Sequence, residues 1–152
     1  QAVVAWYPAT DFLALPRNRD SLESILLGGP ISDNHERARL ARPTTHVSPD
    51  SPPTLLIHGQ PDEVVPIEQS RLFFDALREA RVDATLYELQ DLGHGFDADS
   101  ERTAMDRLTS DPRPAQSVIA ANHYRQGAAG TPDGLPPAGP DAIRAFLERT
   151  LQ

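Results

Sequence analysis

The hydrophobic positions of this chain follow two periods. Residues 2–7 (AVVAWY), 54–58 (TLLIH) and 84–89 (ATLYEL) are short runs rich in aliphatic and aromatic side chains, set off by turn-forming residues. Runs of this kind predict buried strands of a parallel sheet. Between the second and third runs the spacing changes to steps of three and four. Ile67, Leu72, Phe73, Ala76, Leu77 and Ala80 fall on one face of a helix opened by Pro66, with Arg71, Asp75, Arg78 and Glu79 opposite. A last helix is predicted from Pro140 and Asp141, with Ile143, Phe146, Leu147 and Leu151 as its apolar face. Strand, helix and strand joined at this length imply a right-handed crossover and a parallel pair. The predicted class is α/β.

The remaining segments carry weaker patterns. Asp20-Ser21-Leu22-Glu23 offers a helix cap with Glu at the third following position, and Gly28-Gly29-Pro30 supplies the stop. A second short helix is expected over 33–41, begun by Ser32 or Asp33, and a connecting loop over 43–53. Helical segments are expected over 101–108 and 114–125. The Gly/Pro/Ala-rich stretch 127–139 is expected to be extended or mobile.

Composition narrows the function classes. At 152 residues the chain fits one domain, and 39% hydrophobic with 24% charged residues is ordinary for a soluble globular protein. The net charge of −8 argues against nucleic-acid or anionic-membrane surfaces, which are bound through Lys and Arg. Cysteine is absent, which excludes disulfides, thiolate metal sites and a cysteine nucleophile, and leaves the compartment open. No apolar run approaches the roughly 18 residues of a membrane span. The 15 prolines are about twice the usual share and forecast several rigid loops. The chain starts at Gln1, already inside an apolar run, so a missing upstream portion is expected.

Two chemically able side chains occupy the loops after the second and third strands: Asp62 and His94. Parallel strands bring those loops to one sheet edge, where ligands of open α/β sheets bind. Histidine suits a general base because its pKa of about 6.5 lies near working pH. A carboxylate can fix its tautomer and stabilise its charged form. His94 stands between Gly93 and Gly95, which leaves its ring unshielded and the backbone free to turn. Taken singly, an Asp in a loop is usually a turn former or cap, and a lone His is usually structural. It is the ordered pair on successive strand ends that points to chemistry.

Other candidates read as structural. His58 is expected to support its strand end by hydrogen bonding. His35, His46 and His123 lack partners at metal spacing and read as surface or loop residues. Ser70 opens an amphipathic helix and is expected to cap or pack, not to attack. Trp6 and Tyr7 end the first strand on the active edge and are expected either to line a substrate pocket or to pack in the core. Phe96 is expected to plug the space beneath the histidine loop beside that pocket.

The motifs HGQPDEVVP (58–66), EQS (68–70) and GHGF (93–96), with AVVAWYPATDF (2–12), LGGP (27–30) and THVSPDSPPTLLIHG (45–59) upstream, resemble the C-terminal part of an α/β-hydrolase. The resemblance is to the esterase/lipase branch that includes feruloyl-esterase-like and arylformamidase-like enzymes. It covers about two thirds of the chain in the family's order. It implies about three parallel strands with flanking helices, lacking the N-terminal strands of the fold. It also implies that Asp62 is the acid and His94 the base of a catalytic triad, that Asp11 fixes a loop, and that no cofactor or metal is needed.

The chain departs from the family in two ways. The G-x-S-x-G nucleophile elbow and the oxyanion-hole motif are absent, and both belong upstream in the family. Residues 98–139 form a Pro/Gly-rich insertion that the resemblance does not cover, and 11–53 reads as a cap-like or connecting segment. The expected function is the C-terminal half of a serine carboxylic-ester hydrolase acting on a small ester, inactive by itself. The missing half, or a partner chain, is expected at the open edge from Ala2 to Tyr7. A non-catalytic hydrolase-like binding module and part of a prolyl-oligopeptidase-type peptidase are the alternatives.

Overall fold

A computed structural model describes residues 1–15, 21–90, 92–95, 125–126, 136, 138 and 140–152. Phe96, the helical segments expected over 101–108 and 114–124, and nearly all of 127–139 lie outside them.

The three predicted strands form: β1 (Val3–Trp6), β2 (Thr54–Gly59) and β3 (Ala84–Leu89). They pair in parallel in the order β1-β2-β3, with Val4 opposite Leu55 and Leu56 opposite Leu86. A two-residue strand, β4 (Arg125–Gln126), adds antiparallel to β3. This strand lies within the insertion and corrects the helical expectation at Arg125. Two residues of strand carry no periodicity, so no sequence pattern could mark them.

Side chains alternate strictly across the sheet and sort into two cores. On one face Leu56, Ala84 and Leu86 pack against Phe74, Leu77 and Val82 of α3 (Glu68–Glu79) and its end, with Ala5 of β1 beside them. On the other face Leu55, Ile57, Tyr87 and Leu89 pack against Ala142 and Phe146 of α4 (Pro140–Thr150), joined by Val4 and Trp6. Coverage of both faces explains why every residue of β2 and β3 is buried. The residues of β1 are only half-buried, which corrects the reading of a fully buried strand. Among the described residues β1 stands at the end of the sheet.

The excursion between β1 and β2 has its own apolar cluster of Phe12, Leu15, Leu27, Ile31 and Ala38. It contains α1 (Leu22–Leu27), whose N-cap is Ser21, accepting from the Ser24 N–H, rather than Asp20. Gly28 ends α1 in the left-handed conformation at φ 78°, where glycine carries no Cβ penalty. The second helix, α2 (His35–Ala41), begins later than expected. Ile31–Asp33 form a separate 3-10 turn, and Pro43–His46 form another inside the expected loop.

Helix α3 departs from its predicted face. Leu72 is exposed, whereas Gln69, Ser70, Phe74 and Leu77 are buried. Two polar residues occupy the inward stripe because they carry hydrogen bonds, so a hydrophobicity count shifts the face.

Candidate active site

Two strands, β2 and β3, end at one edge of the sheet, and the loop after each delivers one piece of the site. The turn after β2 carries Asp62. Its Oδ1 accepts the N–H groups of Val64 at 2.9 Å and Val65 at 2.8 Å, an Asx-type turn that fixes the carboxylate before α3 begins. The loop after β3 carries His94. Its Nδ1 lies 2.9 Å from Asp62 Oδ2, so the structure brings the two together as the strand order predicts. The Asp62 side chain is fully buried, while that of His94 remains 31% exposed. With a carboxylate oxygen facing it, Nδ1 is the protonated ring nitrogen in the neutral tautomer, and Nε2 is the one left with a lone pair.

Two glycines shape the histidine loop. Gly95 lies at φ 70°, the left-handed conformation that completes the turn after His94. Gly59, at the end of β2, matters through space instead: a β-carbon there would stand 1.6 Å from the Leu92 carbonyl oxygen. The backbone leading to His94 therefore crosses directly over Gly59, which sets the loop down beside Asp62. Sequence reasoning did not single out Gly59; its place in HGQ, ahead of a loop aspartate, was the available signal.

Beneath Asp62 lies a second, buried histidine. His58 Nε2 is 2.8 Å from the Val65 carbonyl and 3.3 Å from Asp62 Oδ2. Both are acceptors, so Nε2 carries the proton and donates. Nδ1 then accepts the Ser70 hydroxyl at 2.7 Å. Burial holds the His58 pKa below its ordinary 6.5, against the opposing pull of the Val65 carbonyl and Asp62. His58 thus supports the strand end, as expected, and does so as a neutral ring. Ser70 is fully buried and engaged with that ring, in keeping with a packing serine.

Burial by itself would raise the Asp62 carboxyl. The Val65 N–H, the His94 ring and the Val64 N–H outweigh it and hold the group below its ordinary 3.8. The result is an ionised, buried carboxylate with one oxygen given to backbone donors and the other turned toward two imidazoles.

Two further buried polar groups lock α3 to the strand ends, and neither was anticipated. Gln69 Oε1 accepts the N–H groups of Thr10 at 2.9 Å and Asp11 at 2.7 Å, tying the segment after β1 to the first turn of α3. Glu88, buried on β3, receives Arg71 through two bonds of 2.9 and 2.7 Å, and Gln60 at 3.1 Å. Arg71 therefore belongs to the interior network and not to a purely solvated face. The EQS stretch at the head of α3 was the visible trace of this arrangement. Asp11 does fix its loop: it caps the Phe12–Ala14 turn through the Leu13 N–H and pairs with Arg42 at 2.8 Å.

Trp6 packs against the core under α4. Tyr7 packs there too, and its ring also stands 4.4 Å from the His94 ring. His35 and His46 are exposed. Among the described residues no group of three or more His, Asp, Glu or Cys could hold a metal ion. No described helix is long and apolar enough to cross a membrane.

Comparison with known proteins gives this geometry a family setting. The model of the BD-FAE family matches residues 1–77, half of the chain, a stretch that includes Asp62 and stops short of His94. The probable carboxylic ester hydrolase LipM of Mycobacterium tuberculosis is 32% identical over 130 residues, covering 82% of this chain and 28% of LipM. Esterase LipC of the same organism is 41% identical over 86 residues, covering 55% of this chain and 21% of LipC. Among solved structures, a truncated carbohydrate esterase from gut microbiota superposes with a TM-score of 0.56 at 31% identity. That match covers 62% of this chain and 35% of the esterase. The chain therefore spans only between a fifth and a third of the length of these two mycobacterial relatives.

Proposed function

The chain belongs to the BD-FAE family, with an α/β-hydrolase-like fold, and on that footing we propose that it supplies the acid and base of a serine carboxylic-ester hydrolase. The observation that carries this reading is the 2.9 Å contact between buried Asp62 and part-exposed His94 at the carboxyl ends of parallel strands. In the proposed reaction, His94 Nε2 takes the proton of a serine hydroxyl as its oxygen attacks the ester carbonyl. Asp62 stabilises the imidazolium that forms and keeps the ring in the required tautomer. His94 then returns the proton to the departing alcohol, and water repeats the sequence to release the acid.

The serine and the oxyanion donors come, in this proposal, from a portion of the protein outside these 152 residues. No G-x-S-x-G occurs in the sequence, and Ser70 is buried against His58. β1, the end strand of the sheet among the described residues, is where that portion would join. The substrate is a small ester, and the chain by itself should not turn one over.

The test is kinetic, on the longer protein with its upstream coding sequence. Asp62→Asn should lower kcat on a short-chain aryl ester by about 10⁴-fold and His94→Ala by about 10⁶-fold. Full activity in either variant would remove that residue from the mechanism, and an upstream sequence lacking G-x-S-x-G would sink the proposal. A longer protein without hydrolytic activity but with Asp62 and His94 still in contact would favour the binding-module alternative.

A further inference from the structure

Tyr7 is the first residue after β1, and its φ of 36° lies in the left-handed region that aromatic residues rarely adopt. Strict alternation along the strand would send its side chain to the α3 face, opposite Trp6. Instead Tyr7 packs with Trp6 and Val4 against the core on the α4 face. The left-handed residue is the break that redirects it. Bulky residues persist in such conformations only where their surroundings over-determine them, and they gather at functional sites.

The contacts of Tyr7 show what the break achieves. Its N–H donates to the Ile57 carbonyl at 2.9 Å, which carries the β1–β2 ladder one step past Trp6 and pins the backbone. Its ring lies against the His94 imidazole with centroids 4.4 Å apart and planes tilted by 56°. The same ring meets His58 nearly edge-on, at 6.5 Å and 78°. Both imidazoles approach Asp62 Oδ2, so Tyr7 touches the two groups that face that oxygen.

We infer that Tyr7 is a positioning residue for His94. His94 sits on a glycine-flanked loop, and a single hydrogen bond to Asp62 leaves its ring free to pivot about that bond. The Tyr7 ring blocks the pivot, keeping Nδ1–H aimed at Asp62 and Nε2 presented outward. The strained backbone at Tyr7 is the means by which a strand that would otherwise face α3 supplies an aromatic wall to the next loop but one. The importance of this wall for turnover rests on His94 being the base; the wall itself can be measured without turnover.

In the 152-residue chain with labelled histidine, a nuclear Overhauser contact between the Tyr7 and His94 ring protons is expected, together with a downfield Nδ1–H resonance held by Asp62. Tyr7→Phe should keep both features. Tyr7→Leu should keep the dispersed methyl spectrum of the fold while broadening or losing the Nδ1–H resonance. In the longer protein, Tyr7→Leu should lower kcat on the order of 10-fold or more with little change in KM, and Tyr7→Phe should restore it. No ring–ring contact in the wild type, or an undiminished Nδ1–H resonance in Tyr7→Leu, overturns the inference. So does an effect of Tyr7→Leu on KM alone, which would make Tyr7 a substrate-pocket residue. A longer protein without esterase activity refutes the reading of His94 as a base, and the magnetic-resonance result then decides the role of Tyr7 alone.

Discussion

Gly59 and Leu92 approach so closely that the first has no room for a side chain: a β-carbon on Gly59 would meet the Leu92 carbonyl oxygen at 1.6 Å. The atom it would strike is backbone, which cannot rotate away. The whole approach to His94 would have to move. Gly59→Ala should therefore lower stability by about 1–3 kcal/mol, as overpacking does, and separate His94 from Asp62. Thermal melting reads the first effect and the His94 Nδ1–H resonance the second. A variant that melts and resonates like the wild type would show that the loop is not held where Gly59 permits it.

Ser70→Ala separates a supporting serine from an attacking one. The substitution strips the hydroxyl from His58 Nδ1 and leaves a buried acceptor unpaired, at a cost of about 1–3 kcal/mol. Melting should fall accordingly, while ester turnover by the longer protein stays within a few-fold of wild type. Abolished turnover with undiminished stability would make Ser70 a participant in the chemistry.

Acid should destabilise the chain in two stages. Burial holds the folded His58 below 6.5, so as pH drops through 6.5 the unfolded chain binds a proton that the folded chain refuses. Stability therefore falls below that pH, until the folded ring also titrates. Asp62 is held below 3.8 in the fold, so its contribution is present above 3.8 and is lost as pH falls through its folded value. Melting temperature should decline between about pH 7.5 and 5.5 in the wild type, and decline less in His58→Gln. An unchanged slope in His58→Gln would assign the first stage to another group.

The parts of this architecture that could be read from the sequence are those encoded by period and order. The runs at 54–58 and 84–89 have a clear hydrophobic signature, and consecutive parallel strands then oblige the loops bearing Asp62 and His94 to share an edge. The parts that could not be read depend on polar atoms facing inward or on backbone passing over backbone. Gln69 and Glu88 carry no hydrophobic signal that would mark them as buried, and Gln69 with Ser70 takes the inward stripe of α3 in place of Leu72. Gly59 differs from any other glycine only by what crosses above it. The left-handed turn at Tyr7 has no sequence mark, because aromatic residues do not ordinarily adopt it.

The central claim is that Asp62 and His94 activate a serine that lies outside these 152 residues, and an active-site-directed fluorophosphonate tests it most directly. Applied to the longer protein, the reagent should label one serine in a segment other than this chain. His94→Ala and Asp62→Asn should slow that labelling by orders of magnitude. The 152-residue chain by itself should take up no label. Labelling of a serine within the chain, or labelling of the longer protein at an undiminished rate in His94→Ala, would contradict the account.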